Sequence, residues 1–247
     1  MSKLVEKLHQ TSRVSTQPLG FKGAASTSTQ KGSPMVLIAV LPEGDASAAA
    51  GGNGNADAWL VKEADSQVLA ALGQVPWGAS LEKGTEKELT HFKEMGCDFL
   101  VFNPATAPLA LLGDDELGKI VEVEASLGDG MIRAIDKLSI DAVLIGGDSE
   151  LSVHRLMVCQ HVANLVHKPL LALAPLDTPK EALEDFREAG IVGVVVKLGG
   201  GGEKGLSQLR QTIDSLPPTR RRRKERMEAL LPNLGQGTQV EEEEDFE

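Results

Sequence analysis

The sequence predicts a closed (β/α)8 barrel, a fold class indicated by three observations. Short apolar segments alternate with helical patterns over residues 35–216, which implies parallel strands joined by right-handed crossovers. Four of these segments share one pattern, and four others lie between them. Alanines recur in the second set at intervals of 40 to 47 residues, at Ala39, Ala79, Ala125 and Ala172. Eight strands in four βαβα repeats indicate a barrel that closes on itself.

An open, doubly wound parallel sheet is the alternative fold. A body of about 180 residues is short beside the usual length of about 250 for a closed barrel of this type. The connections after the first and fourth strands, 43–55 and 105–118, offer only stunted helices. We therefore expect a compact barrel if the sheet closes.

The predicted strands form two alternating sets. The first set comprises segments 56–63, 97–104, 140–147 and 191–198, three of which contain an aspartate near the start: Asp57, Asp98 and Asp141. The second set comprises segments 36–42, 76–82, 121–128 and 169–175. Between them, Thr85 with Glu88 and Thr178 with Glu181 indicate helix capping boxes, and the longest predicted helix lies within 149–167.

Three regions follow from this pattern. Residues 1–34 form an N-terminal extension with a short amphipathic helix and a polar linker, and residues 35–216 form the barrel. Residues 217–247 are predicted to contain a basic helix at 220–231 and a disordered acidic tail. The charges of this tail could support self-association or bind a protein partner.

Composition limits the function and the location. The net charge of −11, with 3% aromatic residues and no tyrosine, disfavours nucleic-acid binding and recognition by aromatic stacking. No signal peptide or membrane span is indicated, so we expect a cytoplasmic protein with no membrane contact. Cys97 and Cys159 have no framework spacing, and the histidines lack metal-site spacing, so we expect reduced thiols and no metal site.

Alternation along the strands predicts which side chains face the barrel interior. Eight large apolar residues of the first set should pack under helices: Trp59, Val61, Leu100, Phe102, Val143, Ile145, Val194 and Val196. The opposite face should line the interior: Ala58, Leu60, Phe99, Val101, Ala142, Leu144, Gly193 and Val195. On the fifth strand the same alternation sends Val121 and Val123 outward and Glu122, Glu124 and Ser126 inward.

A polar cluster should therefore form at the carboxyl ends of the strands, where barrel enzymes keep their reacting groups. It contains Lys62, Ser80, Glu82, Asn103, Glu124 and Lys197, and all but the serine are candidate catalytic residues. Glu124 would be the general base, and Lys62 would stabilise a developing negative charge. Carboxylates inside a barrel are costly unless paired, so Lys62 and Lys197 are the expected partners. The alternative is a purely structural set of ion pairs that fills the barrel.

A glycine-rich segment follows the last predicted strand. The loops after strands 7 and 8, with the amino end of a short helix, commonly form a phosphate site in such barrels. Backbone amides of Gly199, Gly200, Gly201 and Gly202 could wrap an anion, and the helix predicted from Leu206 would present its positive end. Lys197 and Lys204 would add charge, and Gly146 and Gly147 after strand 6 provide a second glycine pair. The alternative is a flexible connector.

With this topology and this glycine loop, the chain resembles the phosphate-binding (β/α)8 superfamily, the ribulose-phosphate and flavin-mononucleotide TIM barrels, over about residues 35–216. The resemblance implies an enzyme of the lyase, isomerase or oxidoreductase type, with a phosphorylated small molecule or FMN as ligand. The branch stays open because the sequence has no D-x-K-x-x-D run and has Gly146 where class I aldolases have a Schiff-base lysine. The alternative function is a non-catalytic barrel that acts as a binding or assembly module through its tail at 220–247.

Overall fold

The structure is a computed structural model that describes residues 2–14, 33–42, 54–81, 85–124, 126–199 and 202–217. The eight strands are β1 (Val36–Val40), β2 (Ala58–Val61), β3 (Trp77–Leu81), β4 (Phe99–Phe102), β5 (Gly118–Val123), β6 (Ala142–Ile145), β7 (Leu170–Ala174) and β8 (Ile191–Lys197). The α-helices of the described residues are α1 (Lys3–Val14), α2 (Ser66–Leu72), α3 (Glu86–Glu94), α4 (Asp129–Asp136), α5 (Val153–Leu165), α6 (Lys180–Glu188) and α7 (Glu203–Asp214). The predicted helix at 220–231 and the acidic tail lie outside these residues.

The strands pair in chain order and close into a parallel barrel, which confirms the predicted fold class and excludes the open sheet. Closure joins β8 to β1, with Val36 opposite Gly193 and Val40 opposite Lys197. After β4 a 3₁₀ helix, Leu109–Gly113, replaces a full α-helix, as the short connection there predicts. The connection after β1 is described only at 41–42 and from residue 54 onward.

Two groups of buried apolar side chains separate the barrel interior from the layer under the helices. The interior group comprises Leu4, Leu8, Val36, Ile38, Ala58, Leu60, Phe99, Val101, Ile120, Ala142, Leu144, Leu171, Leu173 and Val195. The outer group includes all eight residues predicted to pack under helices, from Trp59 to Val196. The predicted alternation of faces is therefore confirmed. Since side chains alternate with a period of two, a register error of one residue would have exchanged the groups.

The bounds of β5 differ from the prediction. The strand spans Gly118–Val123 rather than 121–128, although Val121 and Val123 do face outward. Lys119, the second residue of β5, is buried and donates from Nζ to the carbonyl oxygens of Leu112 and Asp114 at 3.2 and 2.8 Å. Hydrogen bonds to backbone carbonyls thus offset the cost of burying this ammonium group. The sequence pattern places Lys119 before the predicted strand.

One of the two predicted capping boxes is half formed: the threonine caps the helix, but Oε2 of Glu88 has no hydrogen-bond partner. Thr85 is the N-cap of α3, and its hydroxyl accepts a hydrogen bond from the amide of Glu88 at 3.3 Å. The second is wrong: α6 has Pro179 as N-cap, and the hydroxyl of Thr178 donates instead to the carbonyl of Pro175 at 2.5 Å. That bond holds the turn after β7 rather than the helix end. The longest described helix is α5, with 13 residues, as predicted.

Helix α1 closes the amino end of the barrel. Its Leu4 and Leu8 are fully buried in the interior group. The carboxylate of Asp98, just before β4, accepts hydrogen bonds from the hydroxyl of Ser2 and from the amides of Lys3 and Leu4, at 2.7 to 3.0 Å. An acceptor at these amides caps a helix whose first donors have no partner within the helix. The short amphipathic pattern of the extension therefore produces part of the barrel core.

A second aspartate fixes the same end. Asp57, just before β2, pairs with Lys7 of α1 at 2.5 Å and with Arg210 of α7 at 3.0 Å. It also accepts the amide of Leu37 in β1 at 2.7 Å. Arg210 reaches further, to the hydroxyl of Ser33 at 2.6 Å. The amino end is thus held by a network that joins the first and last described helices of the chain.

Candidate functional site

Four of the candidate catalytic residues surround the carboxyl end of the barrel, which we call the mouth. Lys62 directly follows β2, Asn103 follows β4, Glu124 follows β5 and Lys197 ends β8. All four side chains are exposed. The structure thus places these residues at the end of the barrel where the sequence predicts them. Glu82 lies outside the described residues, and Ser80 is partly buried on β3.

Asn103 is occupied by the turn that it begins. Its side-chain oxygen accepts the amide of Ala105 at 2.8 Å, and its carbonyl oxygen accepts the amides of Thr106 and Ala107 at 3.2 and 3.1 Å. An asparagine that bonds the backbone two residues further on stabilises a turn in this way. The side-chain amide group NH₂ is the part of Asn103 that can still contact a ligand.

The predicted pairing of lysines with carboxylates is not formed at Lys197. No carboxylate of the described residues lies within ion-pair distance of this side chain. Glu124 instead accepts a hydrogen bond from the hydroxyl of Ser126 at 3.2 Å. Because both groups are exposed, water can solvate their charges, and burial does not force them to pair. Lys197 and Glu124 therefore do not form an ion pair with each other.

Glu122 lies one step deeper in the mouth than Glu124 and is partly buried. It faces Gly146, where an added Cβ would lie 2.8 Å from Oε1 of Glu122. The amide of Gly146 donates to the carbonyl of Val123 at 2.8 Å, which fixes the glycine beside β5. Gly146 therefore makes room for a carboxylate, a role different from the phosphate contact that the sequence predicts for it.

Arg155 was missed by the sequence analysis. This residue of α5 is 6% exposed, and it donates from Nη1 and Nη2 to the carbonyl oxygens of Gly146 and Ile145 at 2.6 and 2.7 Å. Burial lowers the pKa of Arg155 from its usual value, against the favourable charges of Cys159 and Asp148. Its position could have been inferred, since Arg155 shares the buried face of α5 with Cys159 and Val162 at helical spacing.

The glycine loop after β8 leads directly into α7. Gly202 is the N-cap of this helix, and its own amide donates to the carbonyl of Gly199 at 2.9 Å, forming a tight turn. The helix begins at Glu203 rather than at the predicted Leu206, whose amide is the first to bond back within the helix, to Gly202 at 2.9 Å. The amides of the first turn therefore have no helical acceptor. Gly200 and Gly201 lie outside the described residues.

The loops after β7 and β8 meet at this helix end. An added Cβ at Gly205 would lie 3.5 Å from Cβ of Leu176, and one at Gly202 would lie 3.3 Å from Cδ1 of the same leucine. Gly199, in contrast, has open space at its Cβ position. Lys204 is exposed in the first turn of α7, with Lys197 at the end of the preceding strand. The acidic Glu203 lies between them in sequence and offsets part of their charge.

The other end of the barrel has a cleft of about 610 Å³, beside the last turns of α1. Its polar groups are bound within the protein. Lys168 donates to the carbonyl of Ile140 at 2.8 Å, and His167 lies 2.9 Å from the carboxylate of Asp136. Hydrogen bonds from His167 lower the pKa of Asp136 despite the opposing effect of burial. The mouth remains the candidate functional site, because the sequence predicts the polar cluster there.

None of the helices in the described part of the chain has the length and apolar character needed to cross a membrane. Within the same ranges, no three residues among the histidines, cysteines, aspartates and glutamates are grouped as a metal site would require.

Fold and mouth define the class: a (β/α)8 barrel with polar residues and a glycine loop at its carboxyl end. Solved structures with this architecture include tryptophan synthase alpha subunits from Pyrococcus furiosus. A mutant alpha subunit is 12% identical, covers 73% of this chain and 97% of its own, and has a TM-score of 0.55. The a2b2 complex from the same organism matches with the same identity and coverage and a TM-score of 0.57.

A protein from Aquifex aeolicus VF5 is also similar, at 14% identity, 74% coverage of this chain, 91% coverage of its own and a TM-score of 0.53. No family model matches the chain, and no curated protein matches it in sequence. At these identities the likeness establishes the fold. It confirms the predicted (β/α)8 barrel fold.

Proposed function

We propose that the barrel binds a phosphorylated small molecule at its mouth, with the phosphate at the amino end of α7. The observation that supports this most directly is the meeting of the loops after β7 and β8 at that helix. The first-turn amides have no acceptor within the helix, and the helix dipole favours an anion there. Lys197 and Lys204 are exposed beside the loop and supply charge.

The neighbours in fold are consistent with this proposal without establishing it. The tryptophan synthase alpha subunit belongs to the barrels with which this chain shares its architecture. Loops after strands 7 and 8 with a short helix commonly hold phosphate in such barrels. The same geometry accepts the phosphate of FMN and of a sugar phosphate, so both serve as probes.

We propose further that the bound molecule reacts at the polar residues of the mouth. Glu124 would accept a proton as general base, and Lys62 would stabilise the negative charge that develops on the substrate. Glu82, Asn103 and Lys197 would contact the substrate from neighbouring strands. A lyase or isomerase fits a proton transfer of this kind, and an oxidoreductase would require bound FMN.

The phosphate site is tested by introducing a negative charge where no atom is displaced. Gly199→Asp should abolish binding of inorganic phosphate, FMN and ribose 5-phosphate, since the position has open space and a carboxylate would repel the anion. Gly113→Asp is the matched control, because that exposed glycine also has open space but lies in the 3₁₀ helix at the other end. Calorimetric titration and the shift in melting temperature measure the effect.

Three results would count against the proposal. The first is the absence of binding by any of the three probes to the unmodified chain. The second is equal loss of binding in both variants. The third is unchanged binding in Gly199→Asp. Native mass spectrometry with an absorption spectrum on freshly purified protein provides an independent observation, since a copurified phosphorylated molecule or flavin would be seen directly.

A protein partner is a second proposal, supported by one neighbour. A similar structure is that of an a2b2 complex in which two kinds of chain assemble. We propose the charged segment 220–247 as the place where this chain would associate with itself or with another protein. Sedimentation velocity of the full chain at low and high salt tests it, and a monomer under both conditions would contradict self-association.

A further inference from the structure

We propose that Glu122 binds the far end of the phosphorylated ligand, and that this ligand must carry a hydrogen-bond donor, a hydroxyl or an amine, at that end. The inference rests on the proposed phosphate site and adds a second point of attachment. It makes Glu122, which no candidate set above contains, a residue that determines which phosphate ester is bound.

The position of Glu122 in the barrel favours contact with a ligand. It belongs to the inward face of β5, directly above Ile120, which is fully buried in the interior group. Leu144, its partner in register on β6, belongs to the same apolar group. Glu122 is therefore the polar residue at the bottom of the mouth beside β5, with apolar side chains packed below it and solvent above. A ligand that enters the mouth reaches this carboxylate before it reaches the core.

The side chain of Glu122 has no partner among the described residues. No hydrogen bond or ion pair within these ranges involves the side chain of Glu122, although it is partly buried. Glu124, two residues later and exposed, has the hydroxyl of Ser126 at 3.2 Å. Partly buried carboxylates normally accept hydrogen bonds, because removing them from water is costly. The oxygens of Glu122 are not among the buried polar atoms that lack a partner, so water reaches them, and a donor group of a ligand would replace that water.

The backbone beside the carboxylate of Glu122 is held in place. Gly146 leaves the space that Oε1 of Glu122 occupies, since a Cβ there would approach it to 2.8 Å. The carbonyl of Gly146 is held by Nη1 of Arg155 at 2.6 Å. Arg155 is itself almost fully buried, so the backbone at Gly146 cannot easily move away. The space for Glu122 is thus a fixed part of the structure.

The distance to the phosphate site sets the size of the ligand. β5 and β8 are separated by two strands in the closed barrel. Neighbouring strands lie about 4.8 Å apart, so the two sites are on the order of 10–15 Å apart across the mouth. A phosphate ester with a chain of about five atoms spans this distance when one water bridges an end of the ligand and the protein. Since a carboxylate only accepts hydrogen bonds, the far end must donate.

The test compares two five-carbon phosphates that differ in their donors. Ribitol 5-phosphate carries hydroxyl groups, and n-pentyl phosphate carries none. We expect the unmodified chain to bind ribitol 5-phosphate about 10- to 100-fold more tightly, the range for one hydrogen bond to a charged group. 5-Aminopentyl phosphate shows whether an amine satisfies Glu122 as well as a hydroxyl. Inorganic phosphate reports on the phosphate site alone.

Two variants remove the interaction in different ways. Glu122→Gln removes the charge and keeps the shape, and Gly146→Ala pushes the carboxylate from its place. Both should reduce the preference for ribitol 5-phosphate about tenfold and leave inorganic phosphate unchanged. Glu150→Gln, an exposed carboxylate in the loop after β6, should change neither. The melting temperature of Glu122→Gln should be equal or higher, since a carboxylate kept for a ligand carries a cost in the free protein.

The outcomes separate the two proposals. If inorganic phosphate does not bind, the phosphate site fails and this inference fails with it. If inorganic phosphate binds but the two esters bind equally, only the role of Glu122 is overturned. The same holds if the preference persists in both Glu122→Gln and Gly146→Ala. A preference that both variants abolish, with inorganic phosphate unaffected, supports Glu122 as the second point of attachment.

Discussion

At the amino end of the barrel, Asp98 caps α1 and Asp57 joins Lys7 to Arg210, whereas at the carboxyl end Lys62, Glu124 and Lys197 are exposed. The aspartates are satisfied by groups of the protein itself. At the mouth, Lys197 and Glu122 have no such partner among the described residues. The two aspartates stabilise the fold, whereas Lys197 and Glu122 can be contacted by a ligand. Substitutions at the two ends should therefore affect different measurements.

The largest loss of stability should come from the apolar side of α1. Leu8→Ala leaves a cavity in the interior group, where Leu8 is fully buried, and should cost about 2–5 kcal/mol. Urea unfolding followed by circular dichroism measures it. Leu109→Ala is the control, because Leu109 is 85% exposed and its truncation should change stability by less than about 0.5 kcal/mol. Equal losses would show that α1 does not contribute to the core.

A smaller loss should follow from removing the cap of α1. Asp98→Ala takes away the acceptor of two helix amides and one hydroxyl, and should cost about 1–2 kcal/mol. In Asp98→Ala, hydrogen exchange should accelerate more for the amides of α1 than for those of α5. Unchanged exchange in α1 would mean that another group replaces the cap.

Acid should weaken the amino end through Asp136. Hydrogen bonds from His167 lower the pKa of this carboxyl in the folded chain, although burial opposes them. A carboxyl with a lowered pKa stabilises the fold above its unfolded pKa of about 4, and that contribution is lost as the pH falls through the folded value. Asp136→Asn should therefore make stability less dependent on pH below about pH 4. Asp115→Asn, an exposed aspartate, should leave the dependence unchanged in the same urea series.

The smallest change in stability should come from the mouth. Lys197→Met removes an exposed charge with no ion pair among the described residues, and should alter stability by less than about 0.5 kcal/mol. It should nevertheless weaken phosphate binding, because the charge beside the glycine loop is lost. A loss of several kcal/mol by urea unfolding would instead place Lys197 in a structural network.

Much of the barrel could be predicted from local patterns. Trp59 and Leu60 alternate between the outer and interior groups because neighbouring strand residues point to opposite sides, and this needs no knowledge of distant contacts. The start of β5 could not be predicted in the same way. Lys119 is buried there because the backbone carbonyls of Leu112 and Asp114 accept hydrogen bonds from its ammonium group. These carbonyls come into place only when the chain folds.

The sequence predicts which residues lie at the mouth, but not the contacts that they make. Strand order places Lys62, Asn103, Glu124 and Lys197 at one end, and the structure agrees. The role of Gly146 depends on Glu122 of the neighbouring strand and on Arg155 of the next helix. Arg155 bonds to backbone carbonyls, which every residue has, so no partner residue type marks the contact in the sequence. Such contacts require the register of β5 against β6.

The docking of α1 has a consequence for the order of folding. The cap joins residues 4 and 98, and the ion pair of Asp57 with Arg210 joins positions 153 apart in the chain. Contacts between distant residues are slow to form, because the intervening chain must first be ordered. Although α1 is synthesised early, its apolar face has nothing to pack against until the strands have assembled. We expect its docking to be among the last events of refolding, visible as a slow phase that Leu8→Ala removes.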